Sequence, residues 1–191
     1  MKKNEDIKSI KNRIWITATT RVYAESRARY YDIVSHLALV SLSMMLISIS
    51  IFRDHFLPHI PVDKYVLVFS TLTLAVSIVV WGFRFGEKAT LHRLCYLQLS
   101  ELQDSQLGKM KLLEAYHRIL AAFPNHTDSD YEHFVLKRTL IHRRKIEGAN
   151  GVMISWTWHM LVSCLYHRLK IAVLFLAIIG VFMLWSNGSV D

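Results

Sequence analysis

Two long uncharged runs divide the polar parts of the chain. Asp, Glu, Lys and Arg are absent from Ile33 to Phe52 and again from Tyr65 to Phe83, whereas charged residues stand between and beyond these runs. Each run has about 20 residues, the length that a helix needs to cross a hydrocarbon core of about 30 Å. Because the bilayer core offers no water to backbone amides, both runs are predicted to be transmembrane helices.

A short connection joins the two runs. Residues 53–64 contain Pro58 and Pro61, which stop helices and suit a tight turn. The sequence therefore predicts a two-helix transmembrane hairpin over residues 33–83. A signal peptide is not favoured for the first run, since the mostly polar residues 1–32 precede it and no small-residue cleavage site follows it.

The segment before the first run has the pattern of a helix. One side of it is only partly apolar and consists of residues at spacings of three and four: Ile10, Ile14, Thr17 or Ala18, Arg21 or Val22, and Glu25. Glu25 and Arg29 stand one turn apart with the acid first, which favours a helix. No Gly or Pro intervenes before the first run, so the helix is predicted to continue into the first span.

Two apolar stripes at helical spacing follow the second run. The first consists of Leu91, Cys95, Leu99 and Leu102, and the second of Leu112, Tyr116, Ile119 and Phe123. They predict one long amphipathic helix, with Gly108 able to shift its phase and with Pro124 and Asn125 at its end. Such a helix needs a partner surface, which could be another subunit or a later helix.

A further helix is predicted after this one. Ser129 and Glu132 have the spacing of a capping box, in which two side chains satisfy the first backbone amides of a helix. The helix is expected to continue to about Glu147, with Gly148 in the usual stopping position.

The last part of the chain contains a third apolar segment. Ile171 to Trp185 is apolar without interruption, but fifteen residues cover only about 22 Å as a helix. With Leu169 and a Lys170 whose ammonium reaches the interface, a third span becomes feasible. We therefore predict a third transmembrane helix; a membrane-embedded half-helix or a buried oligomer contact is the alternative.

These elements predict an all-α integral membrane protein. It has two closely spaced transmembrane helices, long cytosolic helices and a third C-terminal transmembrane helix. The expected divisions are an amphipathic N-terminal helix over 1–32, the hairpin over 33–83, a cytosolic helical region over 84–150 and a membrane-associated helix over 151–191.

The basic residues predict the orientation of the chain. Of the 23 Lys and Arg residues, eight lie in 1–32, two in 53–64 and thirteen in 84–170. Because Lys and Arg are retained on the cytosolic side, the N-terminus and the region 84–150 are predicted to be cytosolic, with the proline-containing loop outside. The expected location is the bacterial inner membrane, as a multi-pass protein in contact with membrane lipid.

Hydroxyl side chains form one line along the second span and two narrow, roughly opposite lines along the first. Ser70, Thr73 and Ser77 share a face of the second run, and Ser41 and Ser48 share a side of the first. Small polar residues let helices approach closely and can bond to a carbonyl one turn back, so helix packing explains them. The lining of a water-filled pore is the alternative interpretation.

The sequence offers little for catalysis. It contains no glycine-rich phosphate loop, no His-Glu-x-x-His zinc pattern and no nucleophile elbow, so an enzyme, a cofactor and a metal site are not expected. Cys95 and Cys164 are too few for a metal cluster and are predicted to be reduced cytosolic thiols. Neither uncharged run contains a carboxylate, which argues against a proton- or sodium-coupled pump.

A basic cluster lies in the second half of the last predicted helix before the C-terminal segment. Lys137, Arg138, Arg143, Arg144 and Lys145 are its charged members. A solvated face near anionic lipid headgroups explains such a cluster, because each basic residue near the surface contributes about 1 kcal/mol. The alternative is a receptor patch for a nucleotide or nucleic acid; direct nucleic-acid binding is not expected, since no aromatic platform accompanies the charges in the sequence.

One short motif resembles a known family. Arg21, Ala24, Glu25 and Arg27 stand in the order R-x-x-A-E-x-R just before the first of two closely spaced spans, and a serine-rich span follows. This arrangement resembles the SLATT family of two-transmembrane effector domains, which are associated with bacterial second-messenger and nucleotide-sensing conflict systems. The likeness extends over about residues 8–185 and is greatest to the fifth subgroup, in which a longer helical region follows the spans.

The resemblance implies a function. Such a protein is expected to be an antiphage effector that forms a homo-oligomer and breaches the inner membrane when it is activated. The expected activator is a nucleotide signal or a sensor encoded nearby, such as a nucleotide cyclase or a reverse transcriptase, that responds to infection. The resemblance also implies that Arg21, Glu25 and Arg27 are functionally important; a salt-bridge network that only positions the helix is the alternative. The rival function is a membrane scaffold that holds a cytosolic partner through the helices of 84–147.

Overall fold

A computed structural model describes residues 2–51, 62–148, 151–166 and Leu169. The described elements are α1 (Lys2–Ile51), α2 (Val62–Phe83), α3 (Phe85–Asp104), α4 (Lys109–Ala122), α5 (Asp128–Leu136), a π-helical turn (Lys137–Ile141), β1 (Ile146–Glu147) and β2 (Met153–Ile154). Residues 158–166 are helical as well.

The helix α1 runs without interruption from the polar N-terminal segment through the first uncharged run. It contains 50 residues, so the predicted continuity is confirmed. Good helix formers and the absence of Gly and Pro explain why nothing ends it earlier. Because about 20 residues suffice to cross a bilayer core, only a part of α1 can lie in the membrane.

The described residues form two compact units. The first, here called the core unit, consists of 2–28, 87–166 and Leu169, and the second, the hairpin unit, consists of 29–51 and 62–86. The domain limits predicted from the sequence stay predictions.

The core unit is built on a cluster that joins α1 to the two apolar stripes. Its fully or almost fully buried members are Ile14, Ala18, Cys95, Leu99, Leu102, Leu112 and Tyr116. The stripes therefore pack on an earlier helix, and the expectation of a later helix or another subunit as their partner was wrong. The sequence hid this partner because the apolar side of α1 is narrow and interrupted by polar residues.

A second cluster packs buried residues of α5 and β1 against α1. Phe134, Val135 and Ile146 are buried, with Trp15 and Tyr23 of α1 packed against them. This cluster anchors the short hairpin β1–β2, in which Ile146 pairs with Ile154.

The long amphipathic helix predicted after the second run is two helices. Residues 105–108 separate α3 from α4, and Gly108 in an extended conformation caps α4. The backbone N–H and the hydroxyl of Ser105 both donate to the carbonyl of Leu102, at 3.2 and 2.7 Å, and so end α3. The break lets both stripes reach the same cluster on α1.

The predicted limits of the next helix were also wrong. Thr127, not Ser129, is the N-cap of α5, and the Asp130 carboxylate accepts hydrogen bonds from its backbone N–H at 2.9 Å and its hydroxyl at 2.8 Å. The helix does not reach Glu147: α5 ends at Leu136, the π-helical turn follows, and Arg143 takes a left-handed φ of 50°. Burial of Ile146 in the second cluster requires the chain to turn back here.

The hairpin unit exposes the apolar residues that the core unit hides. Leu37, Val40 and Leu74 are 61%, 60% and 62% exposed. The helices that contain the two runs have 18-residue windows with a mean hydropathy of 2.0 and 2.2, and neither window is buried inside the protein. By length and composition both helices can therefore cross a membrane, as predicted.

Two predicted segments lie outside the described residues. They are most of the loop 53–64 and the third apolar segment 171–185. The third C-terminal span stays a prediction.

A buried arginine cluster as the candidate functional site

Arg21 lies at the centre of the core unit and is fully buried. It stands on α1 between Ala18 and Ala24, which are small enough to let neighbouring segments approach. One terminal nitrogen of its guanidinium donates to the carbonyl of Pro124, and the other lies 3.5 Å from the amide oxygen of Asn125. Arg21 thus ties α1 to the segment that connects α4 to α5.

His92 of α3 meets the same guanidinium. Its Nδ1 is 3.4 Å from a terminal nitrogen of Arg21, and its side chain is almost fully buried. Burial first, and then the charge of Arg21, lower the pKa of His92 to about 4. The ring is therefore neutral at pH 7, with Nδ1 as the acceptor and the proton on Nε2.

Hydrogen bonds offset only part of the free-energy cost of burying Arg21. Its Nε and the Nδ1 of His126 are buried and have no hydrogen-bond partner within the described part of the chain. Burial lowers the pKa of Arg21, and more distant groups such as Cys95 and Asp130 oppose that shift. A buried charge whose direct partners are neutral costs free energy, so the cluster is a point of low stability in the core unit.

A second arginine of α1 forms an ion pair with an aspartate of α5. Arg27 donates from Nε to Asp130 Oδ1 at 2.6 Å and from a terminal nitrogen to Oδ2 at 3.0 Å, in a two-pronged ion pair. The Asp130 side chain is 1% exposed. Burial raises the pKa of Asp130, but the hydrogen bonds from Arg27 and Thr127 outweigh it and the net pKa is lowered.

The motif residues Arg21, Ala24, Glu25 and Arg27 therefore lie within the core unit. Ala24 is fully buried and Glu25 half-buried. The two arginines fasten the middle of α1 to residues 124–130 of the same chain. These contacts fix the position of α1 against that segment.

The hydroxyl residues predicted for a pore lie in the hairpin unit. Ser41, Ser48 and Ser70 are exposed, whereas Thr73 and Ser77 are half-buried. Three of these hydroxyls donate to the carbonyl one turn back, at 2.9 Å for Ser48 and 2.8 Å for Thr73 and Ser77. Both the packing and the pore interpretation stay predictions.

The basic cluster divides into two parts. Arg143, Arg144 and Lys145 are exposed. Lys137 lies over the ring of Tyr23 at 5.6 Å, and Arg138 lies over the ring of Trp15 at 4.6 Å. The fold thus brings aromatic rings of α1 to the cations, which the spacing in the sequence did not reveal.

The sequence analysis missed His92, Asn125, His126 and Asp130. Two signals could have found half of them. His92 interrupts an apolar stripe at helical spacing with Cys95 and Leu99, and Thr127 precedes Asp130 by the three residues of a capping box. Asn125 and His126 carry no signal, since only the tertiary contact with Arg21 gives them a role. Among the described residues no three His, Cys, Asp or Glu side chains are grouped to hold a metal.

Comparison with known proteins gives one match. No curated protein and no solved structure matches the chain. The family model described as "SMODS and SLOG-associating 2TM effector domain family 5" matches residues 3–186. The two apolar helices and the predicted resemblance agree with this match, which covers nearly the whole length. The chain therefore belongs to family 5 of the SMODS- and SLOG-associating two-transmembrane effector domains, the SLATT family.

Proposed function

We propose that this membrane effector of a bacterial conflict system oligomerises and permeabilises the inner membrane when a partner activates it. The observation that carries the proposal is the contrast in burial along α1. Ile14 and Ala24 are fully buried, whereas Ile33 and Leu37 are 53% and 61% exposed. Apolar surface of this extent in the hairpin unit needs a partner other than water, and lipid supplies it.

Oligomerisation follows from the number of spans. Two helices, or three with the predicted C-terminal one, cannot enclose a water-filled path, so several copies would have to contribute helices. Ser70, Thr73 and Ser77 are our choice for the lining, with Ser41 and Ser48 next. Their hydroxyls could exchange backbone acceptors for water when copies assemble.

The trigger is proposed to come from a partner encoded nearby. The family name states an association with SMODS and SLOG. For this chain we propose a sensor such as a nucleotide cyclase or a reverse transcriptase, with the core unit and the N-terminus in the cytosol. The core unit would receive the signal, because it contains the charged and aromatic side chains that a soluble partner or ligand can recognise.

One observation favours a second function. Thr73 and Ser77 already have backbone acceptors in their own helix, as packing hydroxyls do. A scaffold that anchors a cytosolic partner would need nothing more from the hairpin unit. Such a scaffold should leave the membrane potential unchanged.

Membrane potential in cells separates the two functions. The chain would be expressed with and without its genomic neighbour, beside a variant with Ser70, Thr73 and Ser77 changed to Leu. Thr71→Leu is the matched control, since Thr71 makes the same hydrogen bond one turn back, at 2.9 Å, on another side of α2. Depolarisation that only the triple variant loses supports the pore; no depolarisation in any combination, with the protein verified in the membrane, leaves the scaffold.

A further inference from the structure

One side of the helix over residues 158–166 packs on the rest of the core unit. Thr157 is its N-cap, since the hydroxyl accepts a hydrogen bond from the backbone N–H of Met160 at 3.4 Å. The side chain of Met160 packs against the second cluster, and Nδ1 of His159 lies 3.6 Å from a carboxylate oxygen of Glu132. The start of this helix is therefore fixed in the fold.

The opposite side of the same helix is apolar and exposed. Residue 169 is helical too, and it extends this side by one turn. The members, here called the exposed stripe, stand at spacings of four, three, one and three residues and are 52% to 71% exposed: Trp158, Val162, Leu165, Tyr166 and Leu169. At about 100° per residue they cover an arc of about 100°. Single exposed apolar residues are ordinary on a protein surface, whereas five on one side of a helix indicate an interaction surface.

A basic segment lies beside the start of the exposed stripe. Its members are exposed and directly precede β1: Arg143, Arg144 and Lys145. β1 pairs antiparallel with β2, with Ile146 opposite Ile154. The residues before β1 therefore run alongside those that lead from β2 to Trp158. Three cations and the apolar stripe thus lie in one part of the core unit.

The charge around the exposed stripe favours an anionic lipid surface as its partner. Residues 137–166 contain five Lys and Arg residues and one acid, Glu147, which is paired with Lys8 at 3.1 Å. Helices that lie in the membrane interface combine basic residues with an apolar side in this way. Trp158 and Tyr166 add the rings that prefer the level of the lipid headgroups.

A second copy of the chain fits the exposed stripe less well. In a two-fold contact through this surface, each copy would bring its own basic segment to the same interface, and like charges repel. The sequence also continues from the stripe into the uncharged apolar segment 171–185, which is unfavourable in water. A membrane surface suits both the cations and the apolar side chains.

We propose that the exposed stripe lies in the headgroup region of the anionic cytosolic leaflet, with the basic segment at the lipid phosphates. Amphipathic helices of this kind bury their apolar side about 5–10 Å deep. The core unit thereby has a membrane contact of its own, in addition to its attachment through the hairpin unit. This inference rests on the membrane location in the proposed function, but not on pore formation.

Quenching of a fluorophore by spin-labelled lipid tests this contact in the full chain. A bimane is attached to Val162→Cys in a Cys164→Ser background, since native Cys95 is fully buried. Nanodiscs with one copy each contain equal parts of phosphatidylglycerol and phosphatidylcholine, with a trace of lipid that is spin-labelled near the headgroup. Lys111→Cys, exposed on α4, is the negative control, and Leu67→Cys, exposed near one end of the second uncharged run, is the positive control.

The lipid is expected to quench the bimane at residues 162 and 67 and not at residue 111. Changing all three residues of the basic segment to Gln should lower the docking equilibrium by about a hundredfold, which is about fivefold for each basic residue. Nanodiscs of phosphatidylcholine alone should weaken docking of the native chain similarly. Leu165→Asp should abolish quenching at residue 162, whereas Leu97→Asp, at an exposed apolar site of α3, should leave it unchanged.

The contradicting results separate this inference from the proposed function. Quenching at residue 67 without quenching at residue 162 would overturn the docking and leave the membrane location intact, whereas quenching at neither would contradict the membrane location itself. Equal quenching in neutral and anionic nanodiscs would overturn the role of the basic segment. Disulfide formation between copies of unlabelled Val162→Cys in vesicles, without lipid quenching in single-copy nanodiscs, would assign the exposed stripe to a second copy.

Discussion

The core unit and the hairpin unit use similar side chains in opposite ways. In the core unit Leu99 and Leu112 are completely buried against α1, whereas in the hairpin unit Leu37 and Leu74 are 61% and 62% exposed. Both sets stand on helices, but α3 and α4 contain charged residues on their other sides, whereas the two runs of the hairpin unit contain none. The two sets differ in what covers the side chains, which is protein in the core unit and, as we propose, lipid in the hairpin unit.

The polar groups of the two units also differ in where they find their partners. The core unit contains the buried carboxylate of Asp130, paired with Arg27, and the buried guanidinium of Arg21, and each contact ties α1 to a neighbouring segment. The uncharged runs of the hairpin unit contain hydroxyls, and those of Ser48, Thr73 and Ser77 bond within their own helix. A chain that must fold in water can use charge to fix one segment against another, whereas a span in lipid can tolerate only groups that its own backbone satisfies.

The largest expected difference between the units is in the stability lost when a leucine is changed to alanine in each. Leu99→Ala should lower the free energy of unfolding by about 3 kcal/mol, because it leaves a cavity beside Ile14 and Leu112. Leu74→Ala, at a site 62% exposed, should cost under about 1 kcal/mol, since lipid or detergent refills the space. Thermal unfolding of the purified chain in detergent measures both. Equal losses would show that α2 packs within one subunit.

A charge introduced into each unit tests which of the two units faces lipid. Val40→Arg puts a cation in the first span and should weaken membrane insertion by about 3 kcal/mol. Leu97→Arg, at an exposed site of α3, should insert as the native chain does. Alkaline extraction of membranes reports the retained fraction. If Val40→Arg were retained like Leu97→Arg, residue 40 would not face lipid.

The ion pair of the core unit should matter more than an exposed pair. Asp130→Asn removes the charge that Arg27 meets and weakens the cap at Thr127, so we expect a loss of about 2 kcal/mol. Glu114→Gln breaks a pair with Arg118 whose side chains are 70% and 78% exposed, and should cost under about 0.5 kcal/mol. Unfolding midpoints in one detergent compare them. Similar losses would mean that Asp130 is solvated in solution.

Per pH unit, the smallest expected effect is a pH dependence of stability that arises in the core unit. The folded pKa of His92 is about 4 against an ordinary value of 6.5. Between these values the unfolded chain binds the extra proton, so stability is full above pH 6.5 and falls toward pH 4 by at most about 1.4 kcal/mol per unit. His92→Gln keeps an acceptor for Arg21 and should flatten this slope. The exposed control His117→Gln should not, and an unchanged slope in His92→Gln would exclude His92 as its source.

Much of the fold could be predicted because it depends on local patterns. Charge-free runs of span length and the absence of helix breakers were enough for α1, α2 and the membrane class. The two stripes named five buried residues, which are Cys95, Leu99, Leu102, Leu112 and Tyr116. The partner of the stripes could not be predicted. Ile14 and Ala18 give α1 only a narrow apolar side, and its packing against α3 and α4 is visible only in the folded structure.

The candidate site was harder because it consists of polar residues from distant parts of the sequence. Arg21 and Arg27 were named through a family resemblance, but their partners His92, Asn125 and Asp130 lie 71 to 104 residues away along the chain. Local signals mark His92 and Asp130 alone among them, and neither signal points to an arginine of α1. The contact between Lys137 and the ring of Tyr23 was missed for the same reason, since these residues meet only in the folded unit.

The central claim of the proposal is that the hairpin unit crosses the membrane while the core unit stays in the cytosol. Labelling with a membrane-impermeant maleimide in spheroplasts tests it most directly, using His59→Cys in the connecting loop and Lys111→Cys on α4. The background is Cys164→Ser, since native Cys95 is fully buried. We predict that the reagent labels His59→Cys in intact spheroplasts and Lys111→Cys only after the membrane is opened. Labelling of Lys111→Cys in intact spheroplasts would contradict the claim.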